Sequence, residues 1–239
     1  MSKDIRDYFG FNTKTNTKTN TKTNTNISNT TTPKTLSDLD TDLLKVLHVL
    51  ENNSNYNTSL KLEAFTDGSA INNGKKNIKG GIGVFFPGEQ PNIYINCNKY
   101  IIENPEYDVN TATNNVAELL AILLAIEVLL PIVNQYDASQ RPPIVIYSDS
   151  DYSIKSVTQW AYSWKAAGWK KKNKNAGAIK NLEIIKKIFN YCQLYRIKFV
   201  HINSHMPEPY PKNSPKWLLW YGNDMADKLA NKGAITYYC

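Results

Sequence analysis

The sequence predicts a mixed α/β fold, a five-stranded sheet with helices on its faces. Two observations predict it. Three short strand-like runs follow one another between Leu60 and Asn98, and helical and strand-like segments then alternate to Lys232. Strands in succession, followed by strands alternating with helices, make a mixed sheet whose faces the helices cover.

Each element has its own signal. Leu60–Ser69 reads as a strand stopped by Asp67-Gly68, with a turn at Asn72-Asn73-Gly74. Gly80–Phe86 and Asn92–Asn98 are the next strands, separated by a Pro87-Gly88 turn. Thr113–Leu130 is a helix. Val116–Val133 is apolar enough to be weighed as a membrane span, but it is short, contains Glu118 and Glu127, and includes Pro131. It reads as a buried helix. Pro142-Pro143 leads into the strand Ile144–Ser148, and the chain is helical from Asp151 to about Trp160. Ala161–Lys174 is aromatic and basic, Leu182–Tyr195 is a helix capped by Asn181, Arg196–Ile202 is a strand, and Asn223–Lys232 is the last helix.

The first 58 residues differ in kind. Residues 11–35 are almost entirely Asn, Thr and Lys, with a near-repeat of Thr13-Lys14-Thr15-Asn16 through Asn24. Such a tract buries too little apolar surface to offset its ordering entropy and reads as a disordered tether. Residues 37–52 read as an amphipathic helix with Leu39, Leu43, Leu47 and Leu50 on one face. Residues 59–239 form the globular domain.

The formal charge is +7, and residues 1–58 supply seven Lys/Arg against six Asp/Glu, leaving about +6 on the globular part. That balance suits a polyanionic partner. Cys97, Cys192 and Cys239 are too few and too scattered for a disulfide framework or a zinc site. A reducing intracellular compartment, cytoplasm or nucleus, is expected. The first thirty residues hold no apolar run that would read as a secretory signal.

Four stretches each offer a carboxylate to what reads as one magnesium site: Asp67, Glu118, Asp149 and Asp227. Hard divalent cations take oxygen ligands, and paired ions can hold the attacking and leaving oxygens of a phosphodiester cleavage. Glu118 shares a helical stripe with Ile122, Ala125 and Leu129, so it faces the core, where an unpaired carboxylate costs several kcal/mol. Glu127 lies about 180° around the helix and reads as a solvated surface charge. Asp67 and Asp149 each end an apolar strand, the edge where α/β sheets gather ligands. Side by side, such like charges need a cation between them. Alone, either aspartate reads first as a turn or helix-cap residue. Asp151 reads more strongly as a helix cap. Asp224 and Asp227 share the predicted first turn of the last helix, where either suits the helix dipole, and the pattern does not choose between them.

Taken in order, these stretches resemble the ribonuclease H type 1 family: Thr66-Asp67-Gly68-Ser69, Gly81-Ile82-Gly83-Val84, Asn114 to Ala121, Ser148-Asp149-Ser150, Ser204-His205, and Asn223 to Ala230. The likeness covers Leu60 to Ala234. It implies a ribonuclease H-like sheet, three antiparallel strands then parallel ones, with helices on both faces. It also implies hydrolysis of the RNA strand of RNA–DNA hybrids with two Mg²⁺ ions, for which Mn²⁺ substitutes. By this resemblance Asp67, Glu118, Asp149 and Asp227 are the metal ligands, and the Asn-x-x-Ala-Asp-x-Leu-Ala pattern selects Asp227 over Asp224. His205 matches the family's mobile histidine. Gly68, Ser69, Asn73, Asn114 and Asn115 match substrate-contacting positions, Thr113 and Asn181 match part of a DNA-phosphate pocket, and Trp160, Trp164 and Trp169 with Lys170, Lys171 and Lys172 match a helical handle for the hybrid. Amide side chains suit 2′-hydroxyl recognition, and aromatic and cationic groups suit the backbone.

The chain departs from the family in places. Thr111 stands where some relatives place an arginine in the phosphate pocket, which predicts a weaker grip on the DNA strand. Met206–Tyr221 is about a dozen residues longer than the usual loop. No separate hybrid-binding domain is read at the N-terminus. Asp4-Ile5-Arg6-Asp7-Tyr8-Phe9 resembles the sliding-clamp-binding peptide of replication proteins without its glutamine, making Ile5, Tyr8 and Phe9 the expected partner-binding residues. A peptide on such a tether suits recruitment to a clamp through raised effective concentration. A monomer with no membrane association is expected. The rival readings are a DNA nuclease or resolvase of the same fold, and a non-catalytic nucleic-acid-binding module.

Overall fold

The structure is a computed structural model that describes residues 61–75, 77–88, 90–171, 173, 177–204, 206–209 and 211–236. The expected clamp peptide (Ile5, Tyr8, Phe9), the tether and the helix at 37–52 lie outside the described residues, as do Lys172 and His205.

Five strands form one sheet in the order β3-β2-β1-β4-β5. They are β1 (Leu62–Ile71), β2 (Lys79–Phe85), β3 (Ile93–Asn96), β4 (Ile144–Ser148) and β5 (Ile197–His201). β1–β2 and β2–β3 pair antiparallel, whereas β1–β4 and β4–β5 pair parallel. The β1–β2 turn uses Asn72 (φ 61°) and Gly74 (φ 82°), residue types that tolerate positive φ. The parallel half needs helical crossovers, which accounts for the alternation seen in the sequence.

Six α-helices accompany the sheet among the described residues: α1 (Cys97–Glu103), α2 (Asn114–Val133), α3 (Asp151–Lys155), α4 (Ala161–Ala166), α5 (Leu182–Leu194) and α6 (Pro215–Ile235). α2 and α6 cover opposite faces. A side chain on Gly68 of β1 would strike the backbone of Ala117 and Glu118 in α2. One on Gly81 or Gly83 of β2 would strike Ala230 and Ala226 in α6. Gly81 and Gly83 pair with Ser69 and Asp67, so these β1 residues share the α6 face. The glycines let α6 lie backbone to backbone on the sheet.

α2 is apolar on nearly every side because the sheet lies under it and α5 packs beside it. It is long and apolar enough to cross a membrane by length and composition, and 72% of its 18-residue apolar stretch is buried inside the fold. Thr113 caps its start by accepting from the Val116 N–H at 3.3 Å. The helix runs three residues past the expected end at Leu130. Pro131 lies so near the end that the helix still closes, with the Asn134 N–H on the Leu130 carbonyl at 2.9 Å.

Other boundaries also move. The strand expected over Asn92–Asn98 stops at Asn96, whose side chain accepts from Lys99 N at 3.0 Å and starts α1. α3 and α4 are joined by a π-helical turn, Ser156–Trp160, so the helical segment continues to Ala166. Asn181 holds the N-cap position of α5 at φ 57° but makes no capping bond. Its amide donates instead to the Tyr152 hydroxyl at 3.3 Å. α6 begins eight residues before the expected Asn223, capped by Ser214 with Pro215 in its first turn. Asp224 and Asp227 therefore sit in mid-helix, and the dipole argument applies to neither. Seven of the sixteen residues of Met206–Tyr221 are thereby helical.

Candidate active site

The parallel ladder of β1 and β4 ends at the pair Thr66–Ser148, so Asp67 and Asp149 follow side by side just past it. Asp67-Gly68 does not stop the strand as expected: β1 runs on to Ile71 because β2 continues to pair with it, so Asp67 lies in mid-strand and only Asp149 follows a strand end. α2 brings Glu118 to the same point. One carboxylate oxygen from each of Asp67, Glu118 and Asp149 lies within 4.8 Å of the others. Asp67 is 8% exposed and Glu118 is 4% exposed. Asn114 donates to Glu118 Oε1 at 3.5 Å, whereas Glu118 Oε2 is buried with no hydrogen-bond partner.

The electrostatics follow from this crowding. Burial, then the charges of Asp149 and Asp227, push the Asp67 carboxyl up to about 7. Burial, then Asp67 and Asp149, push Glu118 well above the ordinary carboxylate range. The Gly68 N–H bonds oppose both shifts only in part. Three hard oxygen donors, converging and left short of positive charge, suit a divalent cation. The orphaned Glu118 Oε2 is the atom such an ion would satisfy.

Asp227 lies outside that triad, close enough to Asp67 to raise its pKa. It lines a cleft of about 750 Å³ with Asp149, Asp224 and the Ile202–Ser204 segment. Asp227 accepts from the Asn231 amide at 3.0 Å, while Asp224 is committed to Lys228 at 2.6 Å.

A second cleft of about 780 Å³ gathers Asn73, Thr111, Thr113, Asn114, Asn115 and Asn181 beside Lys180 and Tyr107. Asn114 belongs to this cleft and also touches Glu118, linking it to the carboxylates. Gly68 is held close against α2, and the Ser69 hydroxyl donates to Asn231 Oδ1 at 2.7 Å.

The tryptophans divide by role. Trp160, 36% exposed, packs on Trp164 with ring centroids 5.8 Å apart and meets Tyr152 edge-on. Trp169 instead packs edge-on against Phe189 of α5, with Lys186 over its ring. Lys170 is exposed and Lys171 half-buried.

Glu127 departs from the solvated charge expected of it. It pairs with Lys187 at 2.7 Å and accepts from the Tyr191 hydroxyl at 3.1 Å, because α5 covers that side of α2. Two further residues carry no signal in the motifs: Lys180, which lines the second cleft, and Asn231, which donates to Asp227. Asn231 lies four residues after Asp227 on one helix face, a spacing that could have found it.

The RNase H family profile matches residues 59–235. Ribonuclease H of Schizosaccharomyces pombe is 32% identical over 170 residues, which is 71% of this chain and 52% of that protein. A probable ribonuclease H of Acanthamoeba polyphaga mimivirus is 32% identical over 166 residues, 69% of this chain and 62% of that one. The chain thus spans between about half and three fifths of these relatives' lengths. The solution structure of the PFV RNase H domain shares the fold with a TM-score of 0.50 and 25% identity, covering 72% of this chain and 93% of that domain. The foamy viral protease–reverse transcriptase in complex with an RNA/DNA hybrid matches with a TM-score of 0.50 and 23% identity, over 74% of this chain and 20% of that protein. The chain belongs to the ribonuclease H family.

Proposed function

We propose that the chain is an endoribonuclease that hydrolyses the RNA strand of RNA–DNA hybrids in a divalent-metal-dependent reaction. The observation that carries the reading is the cluster of buried Asp67 and Glu118 with half-buried Asp149 and its orphaned Glu118 Oε2, set beside a cleft lined by amides. A pure binding module gains nothing from buried negative charge facing a polyanion.

Asp67, Glu118, Asp149 and Asp227 would hold two ions, Mg²⁺ with Mn²⁺ as a substitute. When bound, these supply activation of the attacking water and charge stabilisation at the leaving 3′ oxygen. The chain's own residues supply the rest. Glu118 is oriented by Asn114, whose position in the amide cleft couples substrate placement to the carboxylates. Asn73, Asn114 and Asn115 present groups that both donate to and accept from 2′-hydroxyls, which DNA lacks. Thr113, Asn181 and Lys180 take a DNA-strand phosphate. In place of the arginine some relatives carry, Thr111 offers a hydroxyl and no charge. Trp160, Trp164 and Lys170 to Lys172 grip the hybrid backbone. His205 is the proton-transfer group. The wider setting is RNA primer or hybrid removal during replication, as a monomer in a reducing compartment, with a sliding clamp engaged by Ile5, Tyr8 and Phe9.

The test is cleavage of end-labelled RNA–DNA hybrid, single-stranded RNA, duplex RNA and duplex DNA, with and without Mg²⁺. Selective, Mg²⁺-dependent cutting of the RNA in the hybrid is expected. Cutting of duplex DNA instead would favour a DNA nuclease of this fold, and binding without cutting would favour a non-catalytic module.

A further inference from the structure

Asp227 is the one carboxylate of the proposed four that a helix on the α6 face supplies, and two hydrogen bonds tie it back to β1. The Ser69 hydroxyl donates to Asn231 Oδ1 at 2.7 Å, and Asn231 Nδ2 donates to Asp227 Oδ1 at 3.0 Å. The polarity of this chain is set by its last member. An ionised carboxylate only accepts, so the Asn231 amide must turn its NH₂ toward Asp227 and its oxygen toward Ser69. The serine hydroxyl must then be the donor.

We propose that Asn231 is a positioning residue for Asp227, anchored by Ser69, so that the carboxylate of α6 is held at a fixed distance and orientation from those on β1. Asp67 and Ser69 are two residues apart on one face of β1, opposite Gly83 and Gly81, where α6 packs closest. The relay thus spans the two elements whose spacing decides whether Asp227 can share a ligand with Asp67. It occupies Oδ1 of Asp227 and leaves Oδ2 to turn toward the cluster. An i,i+4 Asn–Asp pair alone is an ordinary helix-surface interaction worth a few tenths of a kcal/mol. The bond to Ser69, across 162 positions of sequence, is what makes it a brace. The neighbouring cation, Lys228, is drawn off to Asp224 and does not compete.

The inference rests on the proposed metal-dependent reading, and its test is made without substrate. Mn²⁺ binding to the full chain is followed by calorimetry for the native protein and for Asn231→Ala, Ser69→Ala, Ser69→Thr and the Ser69→Ala/Asn231→Ala double variant, with thermal melts of the metal-free proteins beside them. Groups that orient metal ligands typically cost 10–100-fold when removed, so Asn231→Ala is expected to weaken Mn²⁺ by about tenfold with a near-native melt. Ser69→Ala should lose less in the same direction, and Ser69→Thr, which keeps the hydroxyl, should restore most of it. The double variant should be no worse than Asn231→Ala, because both act along one path. Native Mn²⁺ affinity in Asn231→Ala, additive losses in the double variant, or a native chain that takes up no Mn²⁺ would overturn the inference. Intact metal binding with no hybrid cleavage would overturn the proposed function alone.

Discussion

Asp67 has a carboxyl that burial and its anionic neighbours hold near 7, far above the ordinary 3.8. A carboxyl with a raised folded-state pKa binds more protons folded than unfolded. The metal-free protein therefore loses stability as pH rises from about 4 to about 7, and the penalty is constant above that. At about 1.4 kcal/mol per unit the loss approaches roughly 4 kcal/mol at most. Asp67→Asn removes it. Denaturant melts in EDTA should show the variant more stable than the native chain at pH 8 and equal to it near pH 4, with saturating Mg²⁺ erasing the difference. The same variant should bind hybrid and fail to cleave it. A native chain that is equally stable across this range without metal would contradict the electrostatic picture. The two aspartates of α6 separate in the same way. Asp224 is paired with Lys228 while Asp227 acts on Asp67, so Asp227→Asn should cost far more hybrid cleavage than Asp224→Asn. Equal losses would mean that α6 presents the wrong face.

At the scale of elements, the sheet was legible because apolar runs with strand periods bounded by Gly, Pro and Asn have few other uses. α2 was legible from its long apolar run, although the Thr113 cap that starts it was not read. What escaped were boundaries written in caps. Asn96 turns a strand into α1, and Ser214-Pro215 opens α6 inside a stretch that reads as an aromatic loop. The site followed the same division. Asp149 could be read from a strand end and Glu118 from one core-facing stripe, whereas Asp67, also read as a strand end, lies inside a strand that β2 prolongs to Ile71. Asp227 needed the family pattern, because local sequence offers two aspartates with the same spacing logic. The bond of Asn231 to Ser69 and the pairing of Glu127 with Lys187 depend on which helix packs where, which no local pattern carries. The handle is also an element-scale claim. Replacing Lys170, Lys171 and Lys172 by alanine should weaken hybrid binding and lower the log–log salt slope by about 1 for each phosphate the protein no longer neutralises. An unchanged slope would make this run a solvated surface.

At the scale of the whole molecule, the catalytic proposal draws on no residue before Asp67, and the proposed clamp peptide draws on none after Phe9. Deleting residues 1–35 should therefore leave cleavage of a short hybrid unchanged and abolish binding to the host's sliding clamp. A titration of that clamp with the peptide Met1–Asn12 that shows no saturable binding at high micromolar concentration would remove the recruitment proposal and leave the enzyme untouched.

The central claim is that a buried carboxylate cluster holds the metal for RNA cleavage, and Glu118 tests it most directly. Glu118→Gln keeps the shape and the Oε1 bond to Asn114 while removing the charge at the orphaned Oε2. Single-turnover cleavage of a labelled RNA–DNA hybrid in Mg²⁺ should fall by more than the roughly 10–100-fold that removal of a ligand-orienting neighbour costs, with hybrid affinity and melting behaviour preserved. Near-native cleavage by a clean, folded Glu118→Gln protein would contradict the account.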